Sequence, residues 1–196
     1  IFGSGEDGAV TISTNTTLTQ DKYYLDLTVD SGVTLNTAGY RVFVQRNLFL
    51  SGTIGMAAGP SAQGSLGIGT QDANVANSLG GASATYTATA PTAALGGEQW
   101  YKNALNAIDG YSFDPATGTI NLLKGGAGDG TNYGGGVVIV AARYLFGTGN
   151  VFAKGAVNAG GGVVILISSD KSHSYTVSAA GTGTGSAGNT YFLEAD

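Results

Sequence analysis

The sequence predicts an all-β fold of β-solenoid-like coils, of the parallel β-helix kind, and three observations predict it. The first is a repeat at a constant offset of 26 residues: Gly134–Val140 (GGGVVIV) returns as Gly160–Leu166 (GGGVVIL), and Val151, Ala153 and Gly155 return as Val177, Ala179 and Gly181. The second is a match at an offset of 97, where Arg46–Phe49 lines up with Arg143–Phe146 and Gly52–Ile54 with Gly149–Val151. The third is a set of short β-branched runs of period two, separated by turn residues. With 34 glycines in 196 residues a glycine triplet finds itself easily, but that does not keep the downstream apolar positions in step. A fixed period in the twenties with two β-rich runs per unit is the pattern of stacked β-coils.

The elements follow in order. Val10–Ser13 is a β-branched run, and Leu27–Val29, the turn Asp30–Gly32 and Val33–Leu35 alternate apolar and polar side chains. Val42–Val44, polar Gln45–Asn47 and Leu48–Leu50 repeat that layout, with Leu35 and Leu50, like Val29 and Val44, spaced fifteen apart. Alternate side chains then face one interior, and Thr28, Thr34 and Phe49 face the other way. Asn36–Gly39 has turn chemistry. These residues, 1–55, form the N-terminal coils of a single domain spanning 1–196.

Residues 56–118 change character and read as a central insertion, rich in Ala, Gly and Thr, aromatic and partly helical. Asp72–Leu79 fits two turns of helix with Asp72 as N-cap. Glu98–Asp109 is the better helix, with Trp100, Tyr101, Ala104, Leu105 and Ile108 on one face and Gly110 placed to end it. Its aromatics either pack as a cap on the stack or meet a ligand or a neighbouring subunit. Coils resume over 119–196 with Thr119–Leu122, the two 26-residue units and a last strand at Tyr191–Leu193. The glycine triplets suit close backbone approach, where a Cβ would clash.

Composition narrows function. Charged residues make up 11% against 42% hydrophobic, so Thr, Ser, Asn and Gly do the solvating. The net charge is −5 and the eight basic residues are scattered, without the electrostatic footprint of nucleic-acid binding. No cysteine is present, which excludes disulfides and thiolate chemistry, and no apolar run is long enough for membrane insertion. The first residues lack the regions of a signal peptide.

Phe2–Ser13, Thr17–Thr19, Asp21–Tyr24, Leu27–Val29, Ser31–Thr37 and Gly39–Val44 resemble the opening of a glycine-rich family of tailed-bacteriophage virion appendage proteins. The two glycine–valine segments and Thr190–Glu194 resemble that family's C-terminal half, so the likeness covers roughly 1–55 and 119–196. It implies a tail or head fibre, spike or decoration protein on the virion surface, with a structural or host-attachment role. It supplies no catalytic residues. The middle segment departs from it, being aromatic and partly helical where longer glycine-rich stretches are expected.

The resulting expectation is a non-enzymatic virion component without cofactor, most concretely a fibre or spike subunit that recognises a host-surface glycan. Tyr86, Trp100, Tyr101 and Tyr111 are the candidate contact residues for glycan or subunit. Expected partners are other virion proteins and further copies of the chain; a trimer follows by analogy with fibres. One competing reading is a purely structural head or tail decoration or base protein. Another is a polysaccharide depolymerase, which needs two carboxyls across a groove; Asp109 and Asp114 form the least unsuitable pair. Gly125–Asn132 and Gly5–Gly8 touch calcium-loop patterns without repeating them, and the expectation is no metal. His173 lies in a turn and is expected to be solvated.

Overall fold

The computed structural model describes residues 1–56, 108, 126, 132, 134–170 and 172–195, and the backbone of 111–114 and 119–122. The chain there is all-β. It crosses repeatedly between two sheets whose strand pairs are all parallel. The first sheet is built on the path β1 (Ala9–Ile12), β4 (Asp26–Val29), β6 (Val42–Leu50), β10 (Val137–Phe146), β12 (Val163–Ser168) and β14 (Asn189–Glu194), with β3 (Lys22–Tyr24) pairing β6 beside β4. The second runs β2 (Thr16–Thr17), β5 (Thr34–Asn36), β7 (Thr53–Met56), β11 (Asn150–Ala153) and β13 (Thr176–Ser178).

The 26-residue offset is a strand register. Val137 pairs with Val163 and Val163 with Asn189 in the first sheet, while Val151 pairs with Val177 in the second. The 97-residue offset is the register between Thr53 and Asn150 and between Asn47 and Tyr144. It becomes 98 at Val42–Val44 because β6 carries a bulge, Gln45 and Arg46 together facing Arg143. The early coils are not spaced fifteen apart as their apolar pattern suggests. Val29 pairs with Leu50 and Leu35 with Ile54, at offsets of 21 and 19, because turns of unequal length and the bulge fall between the matching strands.

Alternation places the core. Leu27, Val29, Leu48 and Leu50 from the first sheet meet Leu35, Ile54 and Val151 from the second in one interior, each of them buried. A fully buried side chain of this size contributes roughly 1.5–3 kcal/mol. Thr28, Thr34 and Phe49 point the other way, as the period predicts. The near-continuous apolar runs of β10 and β12 have a separate cause: their outward residues Val137, Ile139, Val163 and Ile165 form a second buried cluster with Phe43 and Phe2, against which Ile108 packs. A parallel sheet covered on both faces needs apolar residues at every position.

The glycine triplets sit where backbones touch. A Cβ on Gly162 would lie 1.8 Å from the Gly136 carbonyl oxygen, and one on Gly161 1.8 Å from that of Ala179. Freed of side chains, these segments hydrogen-bond in two directions: the Gly162 N–H donates to Ala153 O at 2.8 Å, and its carbonyl accepts from the Asn189 N–H at 3.0 Å.

One further expectation is corrected. Thr119–Leu122 does not resume the coils; it is β9, paired antiparallel with β8 (Tyr111–Asp114) in a separate two-stranded sheet, and parallel pairing resumes at Val137. Tyr111–Asp114, which follows the expected helix Glu98–Asp109, is strand. The expected helix Asp72–Leu79 lies outside the described residues, as does Glu98–Asp109 apart from Ile108, whose backbone is helical.

Candidate binding surfaces

Three outward surfaces concentrate polar or aromatic side chains. The first is a groove of about 340 Å³ near the N-terminus, lined by Glu6, Asp7, Gln20, Asp21, Tyr23, Tyr40 and Arg41. Its charges are engaged with one another across successive passes of the chain. Lys22 Nζ donates to Asp7 Oδ1 at 3.0 Å and the Tyr23 N–H to Asp7 Oδ2 at 2.7 Å. Arg41 Nε donates to Asp21 Oδ2 at 2.7 Å, its backbone N–H to Asp21 Oδ1 at 2.8 Å, and its Nη1 to the Ile108 carbonyl at 2.8 Å. Arg46 and Asn47 hold Asp26 in the same way one step along. Burial alone would raise the Asp7 carboxyl, but the Tyr23 N–H and the Lys22 ammonium outweigh it and hold it below its ordinary range. The Arg46 guanidinium lowers Asp26. Tyr23 also lies flat on Phe43, ring centroids 4.9 Å apart. These groups stitch neighbouring strands together, so the charges of Asp7, Asp21 and Arg41 already have partners.

The second surface is the outer face of the first sheet beyond the bulge. Phe49 and Phe146 are paired in register, stack at 5.1 Å and are 44% and 45% exposed; Tyr144 beside them is 46% exposed.

The third is the outer face of the second sheet. Register puts Thr34, Thr53, Asn150 and Thr176 in one row across the strands, and Thr17, Asn36, Gly55, Phe152 and Ser178 in the next. Inward Val151 and Ala153 force Asn150 and Phe152 outward. Because Gly55 has no side chain, the Phe152 ring lies down over it, within 2.9 Å of where a Cβ would stand. Lys154 Nζ rests 5.6 Å from the centroid of that ring. Thr53, Asn150, Val151, Phe152, Lys154, Thr176 and Ser178 line a shallow groove of about 230 Å³ there.

His173 is not the freely solvated turn residue expected. It is half-buried, its ring 4.6 Å from Phe192 and 5.7 Å from Tyr175, and its Nδ1 accepts the Tyr175 N–H at 3.2 Å. Burial lowers its pKa. The Tyr175 hydroxyl, raised by burial, lies 3.0 Å from both the Leu48 and the Phe146 carbonyl oxygens.

Of the predicted contact residues, Tyr86, Trp100 and Tyr101 lie outside the described residues, and Tyr111 is described only as the first backbone position of β8. Asp109 is likewise outside, and Asp114 ends β8 with its side chain undescribed, so the pair's geometry lies outside the described residues. Gly125–Asn132 is described only at Gly126 and Asn132. Among the described residues no group of three or more metal-ligating side chains occurs, and the Asp7 carboxylate of the N-terminal loop is held by Lys22 and Tyr23. Sequence reasoning missed Phe152, Lys154 and Asn150. The signal was present: once Val151 is matched to Val177, the outward neighbours fall into the same rows.

No family model, curated protein or solved structure matches the chain.

Proposed function

We propose that this protein is a non-enzymatic virion component, a phage fibre or spike subunit that attaches to a host-surface glycan through a β-solenoid-like stem. The solenoid reading is supported by the chain's alternation between two parallel sheets and by the unchanged 26-residue register over consecutive strands. Attachment rests on one observation, the outer face of the second sheet, where an aromatic ring lies among rows of Thr, Asn and Ser. Sugars are bound by stacking on ring faces and by hydrogen bonds to hydroxyls, and this face offers both. The appendage location and the assembly into homo-oligomers follow from the family resemblance.

The exposed pair Phe49 and Phe146 favours a second reading, a decoration or base protein that buries this patch against another virion protein. Two measurements separate the readings. Labelled isolated protein binds host cells if it is an attachment subunit, and Phe152→Ala weakens that binding while Phe49→Ala does not. If the isolated protein binds no cells, and microscopy of intact particles shows Phe49 and Phe146 covered by a different protein, the decoration reading replaces it.

A further inference from the structure

We infer that the outer face of the second sheet recognises a linear, carboxylate-bearing polysaccharide whose chain runs across the strands, with Phe152 as the stacking plate and Lys154 as the cation that reads the carboxylate. The inference rests on the attachment reading and deepens it.

Charge on this face differs from charge elsewhere. The protein has a net charge of −5, yet no strand of the second sheet contains an Asp or a Glu. Lys22, Arg41 and Arg46 are each paired with an aspartate, and Arg143 Nε donates to the Gln45 carbonyl. Lys154 is exposed and, among the described residues, forms no ion pair; its ammonium has only the Phe152 ring. A lone ammonium on a carboxylate-free face of an acidic protein is arranged for an anion brought from outside. Its four-carbon stem lets it leave the ring when one arrives.

The polar side chains around Phe152 are free for a ligand in the way the aspartates and Arg41 of the N-terminal groove are not. Among the described residues the side chains of Thr53, Asn150, Thr176 and Ser178 form no protein hydrogen bond. They recur at the strand spacing of about 4.8 Å, comparable to one pyranose unit along a glycan. A chain laid across the strands therefore meets one polar side chain of the row Thr34, Thr53, Asn150 and Thr176 at each sugar. Phe152 interrupts the polar rows at one point; one side of its ring is seated on Gly55, and the other becomes available to stack on a sugar when Lys154, which lies over the ring, swings to the carboxylate. One plate, one cation and a periodic polar track define a linear acidic glycan better than a compact ligand.

The probes are polygalacturonate, polymannuronate and polysialic acid, each immobilised in native gels through which the intact protein migrates. Methyl-esterified polygalacturonate tests the need for the carboxylate, and polyacrylate tests charge without sugar. The expected result is retardation by at least one carboxylated polysaccharide and little by the ester or by polyacrylate. Lys154→Gln is expected to weaken retardation about tenfold, the size of a charge-assisted hydrogen bond. Phe152→Leu is expected to weaken it with unchanged thermal unfolding, and Phe49→Ala to leave it unaltered. Lack of retardation by all three carboxylated polymers overturns the inference, as does equal retardation by the ester or polyacrylate, or by the Lys154→Gln protein. Cell binding keeps the two levels apart. If native protein binds cells and Lys154→Gln and Phe152→Leu bind equally well, this inference fails alone; if native protein binds no cells, the attachment reading fails with it.

Discussion

Gly162 illustrates how single residues set this fold. Its N–H and carbonyl oxygen bond to different neighbouring passes of the chain, and the space for a Cβ is filled by the Gly136 carbonyl oxygen. The obstacle is backbone, so no side-chain rotation relieves it. Gly162→Ala is therefore expected to lower stability by about 3 kcal/mol, the upper end of ordinary overpacking, seen as a fall in the urea midpoint. Gly8→Ala is the control for backbone conformation: no heavy atom lies within 4 Å of its would-be Cβ, but its φ is +74°, so its cost is conformational alone. An unchanged midpoint in Gly162→Ala would show that the chain passes are further apart than described. At this scale the sequence was informative, since the triplets pointed to close backbone approach and the contacts are there. The residues that chemistry uses were less legible. Phe152 stands out only when its neighbour Val151 is known to face inward and Gly55 is known to lie beneath it.

The strands show where repeat reading holds and where it slips. Between β10, β12 and β14 no bulge intervenes and successive strands begin 26 residues apart, so one offset describes the pairing. Between β4 and β6 the bulge at Gln45–Arg46 and unequal turns break the spacing, so equal intervals in sequence are not equal positions in space. The aspartates that fix those early strands, Asp7, Asp21 and Asp26, cannot be told from ordinary turn residues until the register is known. At the far end, the turn from β12 into β13 is held by His173, packed on Phe192 and Tyr175 with its Nδ1 accepting the Tyr175 N–H. Protonation removes that acceptor and places a charge in a partly apolar site. The folded pKa lies below the ordinary 6.5, so the unfolded chain takes up the proton first. Stability is then fully present above about pH 6.5 and is lost as the pH falls through the lower folded value. Thermal unfolding followed from pH 7.5 to about pH 5 should show this decline, and His173→Phe should flatten it. A decline of the same size in His173→Phe would place its origin elsewhere.

On the scale of the whole molecule the 26-residue register makes the stack extensible. From β10 onward each pass of the chain pairs with the next at one fixed offset, and stability in such an array is nearly a sum of unit and interface terms. Tandem duplication of Val137–Gly162 inserts one complete unit. The new copy of β10 would pair with the old one as β12 does, and the new copy of β11 as β13 does. Every inward side chain stays inward, and the glycine triplet meets another triplet. The expected product is a folded protein longer by one strand spacing, about 4.8 Å, whose unfolding midpoint is no lower than that of the parent chain. Duplicating one residue fewer, 137–161, displaces the following strands by one position; in β11, where buried and exposed side chains alternate, this turns Val151 and Ala153 outward, and in β10 and β12 it exchanges the residues of the two buried clusters. That protein should be recovered unfolded or aggregated. Circular dichroism and small-angle scattering on the two proteins decide the matter. Equal behaviour would mean that pairing is set strand by strand rather than by the repeat, and the solenoid reading of the stem would lose its main support.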